Sequence, residues 1–170
     1  MGAAGCSGAT EDDYEVSTDP DRLDIDSIHH WLSTDAFWAL GRSRETVERS
    51  VRGSLNFGAY DAAGAQVAYA RVVTDLATFA WLCDVYVAPA HRGRGLGTRL
   101  AGAVLDHLAP HRLKRVLLST LDAHDVYAKA GFVPFPDPEK LMIWTPEAAG
   151  EVPADATGPT GPESPPPGNH

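Results

Sequence analysis

The residues best suited to chemistry lie in one glycine- and arginine-rich segment between an apolar strand and a helix. The segment reads His91-Arg92-Gly93-Arg94-Gly95-Leu96-Gly97-Thr98-Arg99. Backbone N–H groups at a helix start, reinforced by the helix dipole, bind anions, and glycines let a ligand approach the backbone closely. The arginines concentrate positive charge there, although the chain carries a formal net charge of -9. The segment therefore predicts a site for a phosphate-bearing ligand.

The glycine spacing excludes two common phosphate-binding motifs. A P-loop consists of a glycine, four further residues, and then Gly-Lys followed by Ser or Thr. The segment contains no such run. A dinucleotide-binding fingerprint needs two residues between its second and third glycines, whereas a single residue separates Gly95 from Gly97. A turn whose glycines serve only its backbone conformation is the alternative, and the spacing alone leaves the ligand open.

The acidic balance of the chain excludes whole classes of partner. Asp and Glu number 23 against 14 Lys and Arg. A basic surface supplies most of the affinity of proteins that bind nucleic acids or anionic membranes, so neither partner is expected. No apolar run approaches the roughly 18 residues of a membrane-spanning helix, and residues 1–13 lack the features of a secretory signal.

The cysteines and histidines indicate neither disulfides nor a metal site. Cys6 falls in a predicted tail and Cys83 in a predicted buried strand, where it is expected to belong to the core. Two cysteines so placed exclude a disulfide framework and favour a reducing, cytoplasmic location. The adjacent His29 and His30 face different ways and are poor joint ligands, so no metal ion is expected.

The two ends of the chain differ in composition from the middle. Residues 1–13 are rich in Gly, Ala and Ser without periodicity, and residues 146–170 are rich in proline and contain no aromatic residue, Lys or Arg. Such segments cannot bury enough apolar surface to offset the entropy lost on ordering, so both are predicted to be disordered tails. The folded domain is predicted to span residues 14–145.

Hydrophobic spacing and turn residues predict the elements of that domain. Two helices come first, one at residues 26–32 capped by Asp26 and one capped by Ser43. Strands at residues 56–61, 66–74 and 79–87 precede a helix at 96–108, a strand at 115–119 and a short helix at 123–130. Gly131 ends that helix in the left-handed conformation. Strands at residues 132–135 and 141–144 complete the domain.

The connections between these elements predict the fold class. The early strands are close enough in sequence to form hairpins. The link from strand 79–87 to strand 115–119 contains its own helix and is long enough for a parallel crossover. The chain is therefore predicted to be an α/β protein with a twisted mixed sheet flanked by helices.

Two motifs of this chain resemble motifs of the GNAT N-acetyltransferase superfamily and occur in the same order. Arg92-x-x-Gly95-x-Gly97, after an apolar strand and Pro89, resembles the segment that binds the coenzyme A pyrophosphate. Asp122-Ala123-His124-x-x-Tyr127-x-Lys129-x-Gly131-Phe132 resembles the second motif, an aromatic hydroxyl on a short helix followed by Gly-Phe. Segments such as Ala70-Arg71-Val72-Val73-Thr74-Asp75 resemble a widespread, mostly unassigned bacterial subgroup. The resemblance covers about residues 14–145 and implies a GNAT-like fold whose two parallel central strands splay apart.

The resemblance implies that acetyl-CoA is the cosubstrate and lies in the gap between the splayed strands. Backbone groups of Val85 and Val87 would pair with the pantetheine arm and the thioester. The N–H group of Val85 or Tyr86 would stabilise the oxyanion. The pyrophosphate would be held by Arg92, Gly93, Arg94, Gly95, Leu96, Gly97 and Thr98.

The resemblance further implies direct transfer of the acetyl group to a primary amine of a small molecule in a ternary complex. Tyr127 matches the general acid that protonates the departing thiolate, unless it only packs under the sheet. Two residues are candidates to accept the proton of the amine. Asp84 lies two residues before Tyr86, on the same strand face by simple alternation, and His124 lies one turn from Tyr127. The alternatives are an orienting or structural role for Asp84 and a helix-start hydrogen bond from His124 to Asp122.

The acceptor side of the site is the least determined by the sequence. Trp38 and Arg42 belong to the early helical segment that covers the acceptor pocket in this superfamily, and they either line that pocket or pack and pair locally. A non-catalytic acyl-CoA-binding or regulatory module on the same fold is an alternative function. A protein-interaction domain acting through the acidic tail is another. Homodimers are common among such enzymes, and the sequence leaves the assembly open.

Overall fold

The computed structural model describes residues 14–145, so the two predicted tails and Cys6 lie outside the described residues. The chain divides between Val133 and Pro134 into two units, which are described separately below. Among the described residues, no helix is long and apolar enough to cross a membrane.

The first unit is built around a mixed sheet in which the strands follow one another in chain order. Within residues 14–133 the strands are β1 (Glu15–Ser17), β2 (Leu55–Tyr60), β3 (Gln66–Thr74), β4 (Phe79–Val87) and β5 (Arg115–Leu117). The helices are α1 (Ile25–Thr34), α2 (Arg44–Arg52), α3 (Leu96–Leu108) and α4 (His124–Lys129). Neighbouring strands are antiparallel except β4 and β5, which are parallel and are connected through α3. This arrangement confirms the predicted fold class.

Each face of the sheet carries its own apolar core. On one face, α3 buries Leu96, Leu100, Val104 and Leu108, at the four-residue steps of an amphipathic helix. On the other face, α1 and α2 bury Ile28, Leu32 and Val47 against Tyr69 and Tyr86. β4 therefore lies between helices on both faces of the sheet, and this packing fixes the position of its carboxyl-terminal half.

A β-bulge interrupts β4 at Asp84. Tyr69 pairs with Tyr86 and Arg71 with Cys83, so the single residue between them on β3 faces two residues on β4. Asp84 adopts a φ of 51°, in the left-handed region. The alternation of β4 shifts across the bulge, because Leu82 packs in the core with α3 whereas Tyr86 packs in the core with α1. Simple alternation therefore does not relate Leu82 to Tyr86. Asp84 itself bonds to Trp38 and Arg42, in the connection whose Ala36 and Ala39 share a core with Tyr86.

Several predicted boundaries need correction at the carboxyl-terminal end. The strands predicted at 132–135 and 141–144 are absent from the described residues, where a short 3-10 turn, Pro138–Lys140, occurs instead. Pro134 and Pro136 cannot donate ladder hydrogen bonds, which accounts for the missing strand at 132–135. In the first unit, β5 ends at Leu117, and β1 was not predicted. In the second unit, the 3-10 turn carries an ion pair between Lys140 and Asp137.

The residue that caps α1 is Asp24 and not the predicted Asp26. The helix begins at Ile25, and the Asp24 carboxylate accepts hydrogen bonds from the Ser27 N–H at 3.0 Å and the Ser27 hydroxyl at 2.6 Å. Asp26 lies in the first turn and pairs with Arg44 on the surface. The predicted Ser43 cap of α2 is confirmed, since its hydroxyl accepts from the Thr46 N–H.

We expect Asp24→Ala to lower the free energy of unfolding by about 1 kcal/mol, because it removes the acceptor for an otherwise unpaired N–H group at the helix start. Asp26→Ala is the matched control. It removes only an exposed ion pair and a charge near the helix dipole, so its cost should be less than about half as large. Urea unfolding of the two variants compares them directly. Equal losses of unfolding free energy in Asp24→Ala and Asp26→Ala would show that the hydrogen bonds of the cap contribute nothing beyond the local charge.

Candidate active site

The glycine-rich segment forms a turn that opens α3 and lines a cavity. Gly93 and Gly95 have φ values of 73° and 75°, in the left-handed region that glycine adopts without strain. Gly95 occupies the cap position of α3 and offers no side chain, so no side-chain hydrogen bond caps that helix. The N–H groups of its first turn are thus available to an anion. The adjoining cavity of about 600 Å³ is lined by Arg92, Gly93, Gly95, Leu96, Gly97 and Thr98 from this segment.

Gly97 sets the width of this cavity at the start of α3. A Cβ added there would lie 3.4 Å from Cγ1 of Val126 and 3.9 Å from Cγ2 of Val87. A larger residue would therefore fill the space between β4 and α4. Val85, Tyr86 and Val87 line the same cavity from the strand side. A strand edge and a helix start thus face one cleft.

Arg92 is held at the cavity by a network that the sequence did not reveal. Its Nη2 lies 2.6 Å from Oδ2 of Asp35, and its Nε donates to the Val87 carbonyl at 2.8 Å. The Tyr86 hydroxyl donates to the same Asp35 oxygen at 2.6 Å. Hydrogen bonds from Tyr86 and then Arg92 hold the pKa of Asp35 below its ordinary value. Burial, and next the hydrogen bond to Asp35, raise the pKa of Tyr86 to about 12.

A second cavity of about 540 Å³ lies beside the first. The β4–β5 ladder ends at the pair Trp81 and Leu117, so the carboxyl-terminal half of β4 has no β5 partner. The two cavities share walls formed by Phe37, Trp38, Val85, Asp122 and Ala123. This arrangement is the gap between splayed parallel strands that the resemblance implied. A long ligand in the first cavity can therefore present its end to a second ligand at Val85.

A buried carboxylate with two arginines lies at the inner side of the second cavity. Asp84 Oδ2 accepts from Arg42 Nη1 and from Arg71 Nε, each at 2.8 Å. Asp84 Oδ1 accepts from Trp38 Nε1 at 3.2 Å, and Arg71 Nη1 also donates to Ser54 Oγ at 3.2 Å. The Asp84 side chain is 2% exposed. We call Asp84, Arg42 and Arg71 the charged cluster.

The charged cluster keeps Asp84 ionised. Burial is the largest single influence on its pKa and acts to raise it, but the hydrogen bonds and charges of Arg42 and Arg71 outweigh burial. The pKa of Asp84 therefore lies below its ordinary value. A carboxylate whose pKa is lowered is a weaker base than an ordinary one, and both of its oxygens already accept hydrogen bonds.

Tyr127 presents its side chain to the second cavity from α4. Its ring packs edge-on against Phe132, with centroids 5.9 Å apart. The hydroxyl has no hydrogen-bond partner among residues 14–145. Burial, and to a smaller degree the charge of Asp122, raise the pKa of Tyr127, so the hydroxyl keeps its proton at neutral pH. The group can therefore donate a proton into the cavity.

The chain matches a known protein family over most of the first unit. The acetyltransferase (GNAT) family model matches residues 25–132. A protein of Gibberella zeae, named provisionally as an acetyltransferase, is 34% identical over an alignment 140 residues long that covers 71% of this chain and 78% of that protein. This chain belongs to the GNAT acetyltransferase family. This GNAT protein is accordingly an acyltransferase of the kind that uses coenzyme A thioesters.

Solved structures of other proteins have the same fold. A protein of Xanthomonas campestris pv. campestris, named provisionally as an acetyltransferase of the GNAT family, is 46% identical with a TM-score of 0.73, over 78% of this chain and 92% of that chain. N-acetylglutamate synthase from Neisseria gonorrhoeae, solved with coenzyme A and N-acetyl-glutamate, has a TM-score of 0.60 at 19% identity. That match covers 74% of this chain and 30% of the synthase, and it shows the fold alone.

The structure brings most of the predicted GNAT site residues to the two cavities and places two elsewhere. Arg94 does not line the first cavity, and its Nη1 lies 3.4 Å from the Tyr14 hydroxyl. His124 is exposed at the start of α4 and lines neither cavity. Cys83, expected in the core, is half-buried and lines the second cavity. No group of three or more potential metal ligands occurs within residues 14–145.

Two residues of this GNAT site had no predicted role. Arg71 appeared in a motif that resembles the bacterial subgroup, but nothing in its spacing pointed to Asp84. Asp35 follows α1, and no sequence signal connects it to Arg92, 57 positions later. Both roles depend on contacts between distant parts of the chain, so only an alignment of relatives or a structure could have found them.

Proposed function

We propose that this protein transfers the acetyl group of acetyl-CoA to a primary amine of a small molecule, by direct attack in a ternary complex. The observation that carries the proposal is the pair of adjoining cavities. One is lined by the uncapped start of α3, and the other by the charged cluster and Tyr127. A donor and an acceptor can therefore meet at their shared wall, Val85, without an acyl-enzyme step.

The hydrogen-bond donors that line the first cavity support its assignment to acetyl-CoA. The N–H groups from Gly93 to Thr98 and the Arg92 guanidinium would hold the pyrophosphate, since charge-assisted hydrogen bonds are the stronger class. The half of β4 that has no β5 partner, Val85 to Val87, would pair with the pantetheine arm along that open edge, as an added strand does. Bound acetyl-CoA supplies an activated acyl group on a thiol leaving group.

Tyr127 would serve as the general acid for that leaving group. A thiol has a pKa of about 8.5, so the departing sulfur leaves more readily when it gains a proton. Tyr127 lines the acceptor cavity, and its raised pKa keeps the hydroxyl protonated. An N–H group of Val85 or Tyr86 would stabilise the negative charge that develops on the carbonyl oxygen.

The charged cluster favours an orienting role for Asp84 over that of a base. Its low pKa and its three hydrogen bonds make it a poor acceptor for the proton of an ammonium group. His124 is exposed and lines neither cavity. The proton of the amine would therefore leave through water.

Binding of acetyl-CoA tests the first half of the proposal. A ligand that binds the native state raises stability by about 2.7 kcal/mol at a hundredfold excess over its dissociation constant. We expect a thermal shift of the corresponding size for the wild type. Thr98→Glu should abolish most of the shift, because it places a negative charge at the predicted pyrophosphate. Gly102→Glu on the same helix is the control, since position 102 has open space and does not line the cavity.

Release of free thiol with a panel of amines tests the second half. Release that depends on both acetyl-CoA and an amine supports an N-acetyltransferase. Binding without release for any amine would instead favour the non-catalytic acyl-CoA-binding module. An equal thermal shift in Thr98→Glu and in the wild type would overturn the assignment of the first cavity to acetyl-CoA.

A further inference from the structure

The charge inside the second cavity points to the chemistry of the acceptor. Two guanidinium groups, Arg42 and Arg71, face one buried carboxylate, Asp84. The other carboxylate of the cavity, Asp122, is exposed and belongs to the wall shared with the first cavity. The inner part of the cavity thus has a surplus of one positive charge, in a chain whose formal net charge is -9.

Asp84 does not provide a site for an ammonium group. Its Oδ2 accepts from both arginines, and its Oδ1 accepts from Trp38. An ammonium group could bind this carboxylate only by displacing donors that are already in place, two of them charged. A substrate that relied on a cationic group to bind at this position would also meet two guanidinium groups.

Arg42 is the part of the charged cluster that remains available to a ligand. It uses only Nη1 to bind Asp84, and its Nε and Nη2 have no hydrogen-bond partner among residues 14–145. Its side chain is 22% exposed and lines the cavity. Arg71 is 15% exposed and uses both Nε and Nη1 within the protein. The planar guanidinium fork matches the two oxygens of a carboxylate better than any other side-chain donor does.

Aromatic and aliphatic side chains form much of the rest of the cavity wall, together with the polar residues Ser119, Thr120 and Asp122. Phe37, Trp38, Trp81 and Leu82 line it together with the charged cluster. Such walls favour a ligand with an apolar body and a small number of polar groups. The cavity volume of about 540 Å³ is in the range of small-molecule sites.

We propose that the acceptor is an amino carboxylate with an apolar side chain, such as a free amino acid, whose carboxylate is bound by Arg42. Asp84 and Arg71 act as positioning residues that hold the Arg42 guanidinium toward the cavity. The amino group would then point to the wall at Val85, where the acyl carbon is presented. This inference rests on the proposed function, because it names the acceptor of that reaction.

A comparison of matched acceptors tests the inference. Each apolar amino acid is assayed beside its primary amide and its decarboxylated amine, with thiol release from acetyl-CoA as the readout. We expect kcat/KM for the amino acid to exceed that for the amide by about 10-fold to 100-fold, the range for a charge-assisted hydrogen bond. An aminophosphonate in the same series distinguishes a planar carboxylate from any other anion. Equal rates for acid and amide, or a higher rate for the aminophosphonate, would overturn the proposal.

Arg42→Gln separates binding of the carboxylate from a structural role. We expect this change to reduce the ratio of amino acid to amide kcat/KM to near 1, mainly through KM for the amino acid. Arg42→Lys should recover part of the ratio, because it restores the charge without the fork. Arg52→Gln removes an exposed arginine that lines neither cavity and should leave the ratio unchanged. Equal losses for acid and amide in Arg42→Gln would mean that Arg42 only supports the fold.

The outcomes also separate this inference from the function on which it rests. Thiol release with simple amines but not with amino carboxylates would leave the N-acetyltransferase standing and overturn the inference. Absence of release with every amine would overturn both. The acid-to-amide ratio of the wild type needs no variant, so a failure of Arg42→Gln to fold does not remove the test.

Discussion

Asp84→Ala is expected to lower the free energy of unfolding by about 3–5 kcal/mol, the range for removing one partner of a buried ion pair. The change leaves Arg42 and Arg71 close together without the carboxylate that both bind. It also removes the acceptor of the Trp38 Nε1 hydrogen bond. Urea unfolding of the wild type and the variant measures the difference.

Two further variants at the same position separate the causes of that loss. Asp84→Gly removes the charge but adopts a φ of 51° without strain, so it isolates the electrostatic part. We expect it to lose most of what Asp84→Ala loses. Asp84→Asn keeps the shape and one acceptor oxygen, and should be intermediate. A loss of less than about 1 kcal/mol of unfolding free energy in Asp84→Ala would mean that solvent screens the two arginines. The charged cluster would then contribute little to stability.

The lowered pKa of Asp84 predicts how the stability difference between the wild type and Asp84→Ala changes with pH. A carboxyl group whose pKa is lowered on folding contributes stability above its unfolded pKa, and that stability is lost as the pH falls through the folded pKa. The pKa of Asp84 is lowered from its ordinary value of 3.8. The stability difference between wild type and Asp84→Ala should therefore be complete at neutral pH and should narrow as the pH falls below 3.8.

Tyr127→Phe should reduce kcat by about 10²-fold, the lower end of the usual contribution of a general acid. The dissociation constant for acetyl-CoA should not change, because Tyr127 lines the acceptor cavity and not the first cavity. Stability should also be nearly unchanged, since the hydroxyl has no hydrogen-bond partner among residues 14–145. Steady-state thiol release and a binding titration on the same preparation measure both quantities.

Tyr60→Phe provides the contrasting control for that prediction. The Tyr60 hydroxyl donates to the Arg22 carbonyl at 2.9 Å and lines neither cavity. Its removal should cost about 1 kcal/mol of stability and leave kcat unchanged. A Tyr127→Phe variant that keeps kcat within a factor of two would assign the proton of the leaving thiol to water.

Local sequence signals were sufficient for the elements that carry the donor site. The bounds of β3, β4 and α3 agree with the predicted ones, because each is a long run rich in apolar residues that a turn residue or a proline follows closely. The glycine-rich segment was also recognisable, since its chemistry depends on the backbone of consecutive residues. Gly131 has the left-handed φ, 99°, that its place after α4 predicted.

Signals that depend on the rest of the molecule were not readable in the same way. Asp24 and Asp26 are the same residue type at nearly the same place, and only the path of the chain into α1 decides which one caps it. The bulge at Asp84 reverses the alternation of side chains along β4, and no residue type in that strand predicts the bulge. The charged cluster joins Arg42, Arg71 and Asp84 from three separate segments. Contacts of this kind between distant segments can be identified only when the fold is known.

The left-handed backbone at Asp84 has a practical consequence for redesign of the acceptor preference. Branched and bulky residues are strongly disfavoured at a φ of 51°, so position 84 tolerates little variation whatever ligand is sought. Phe37 and Leu121 line the same cavity with 51% and 79% of their surface exposed, and no core packing depends on them. A combinatorial library confined to these two positions would reshape the cavity while the scaffold stays intact.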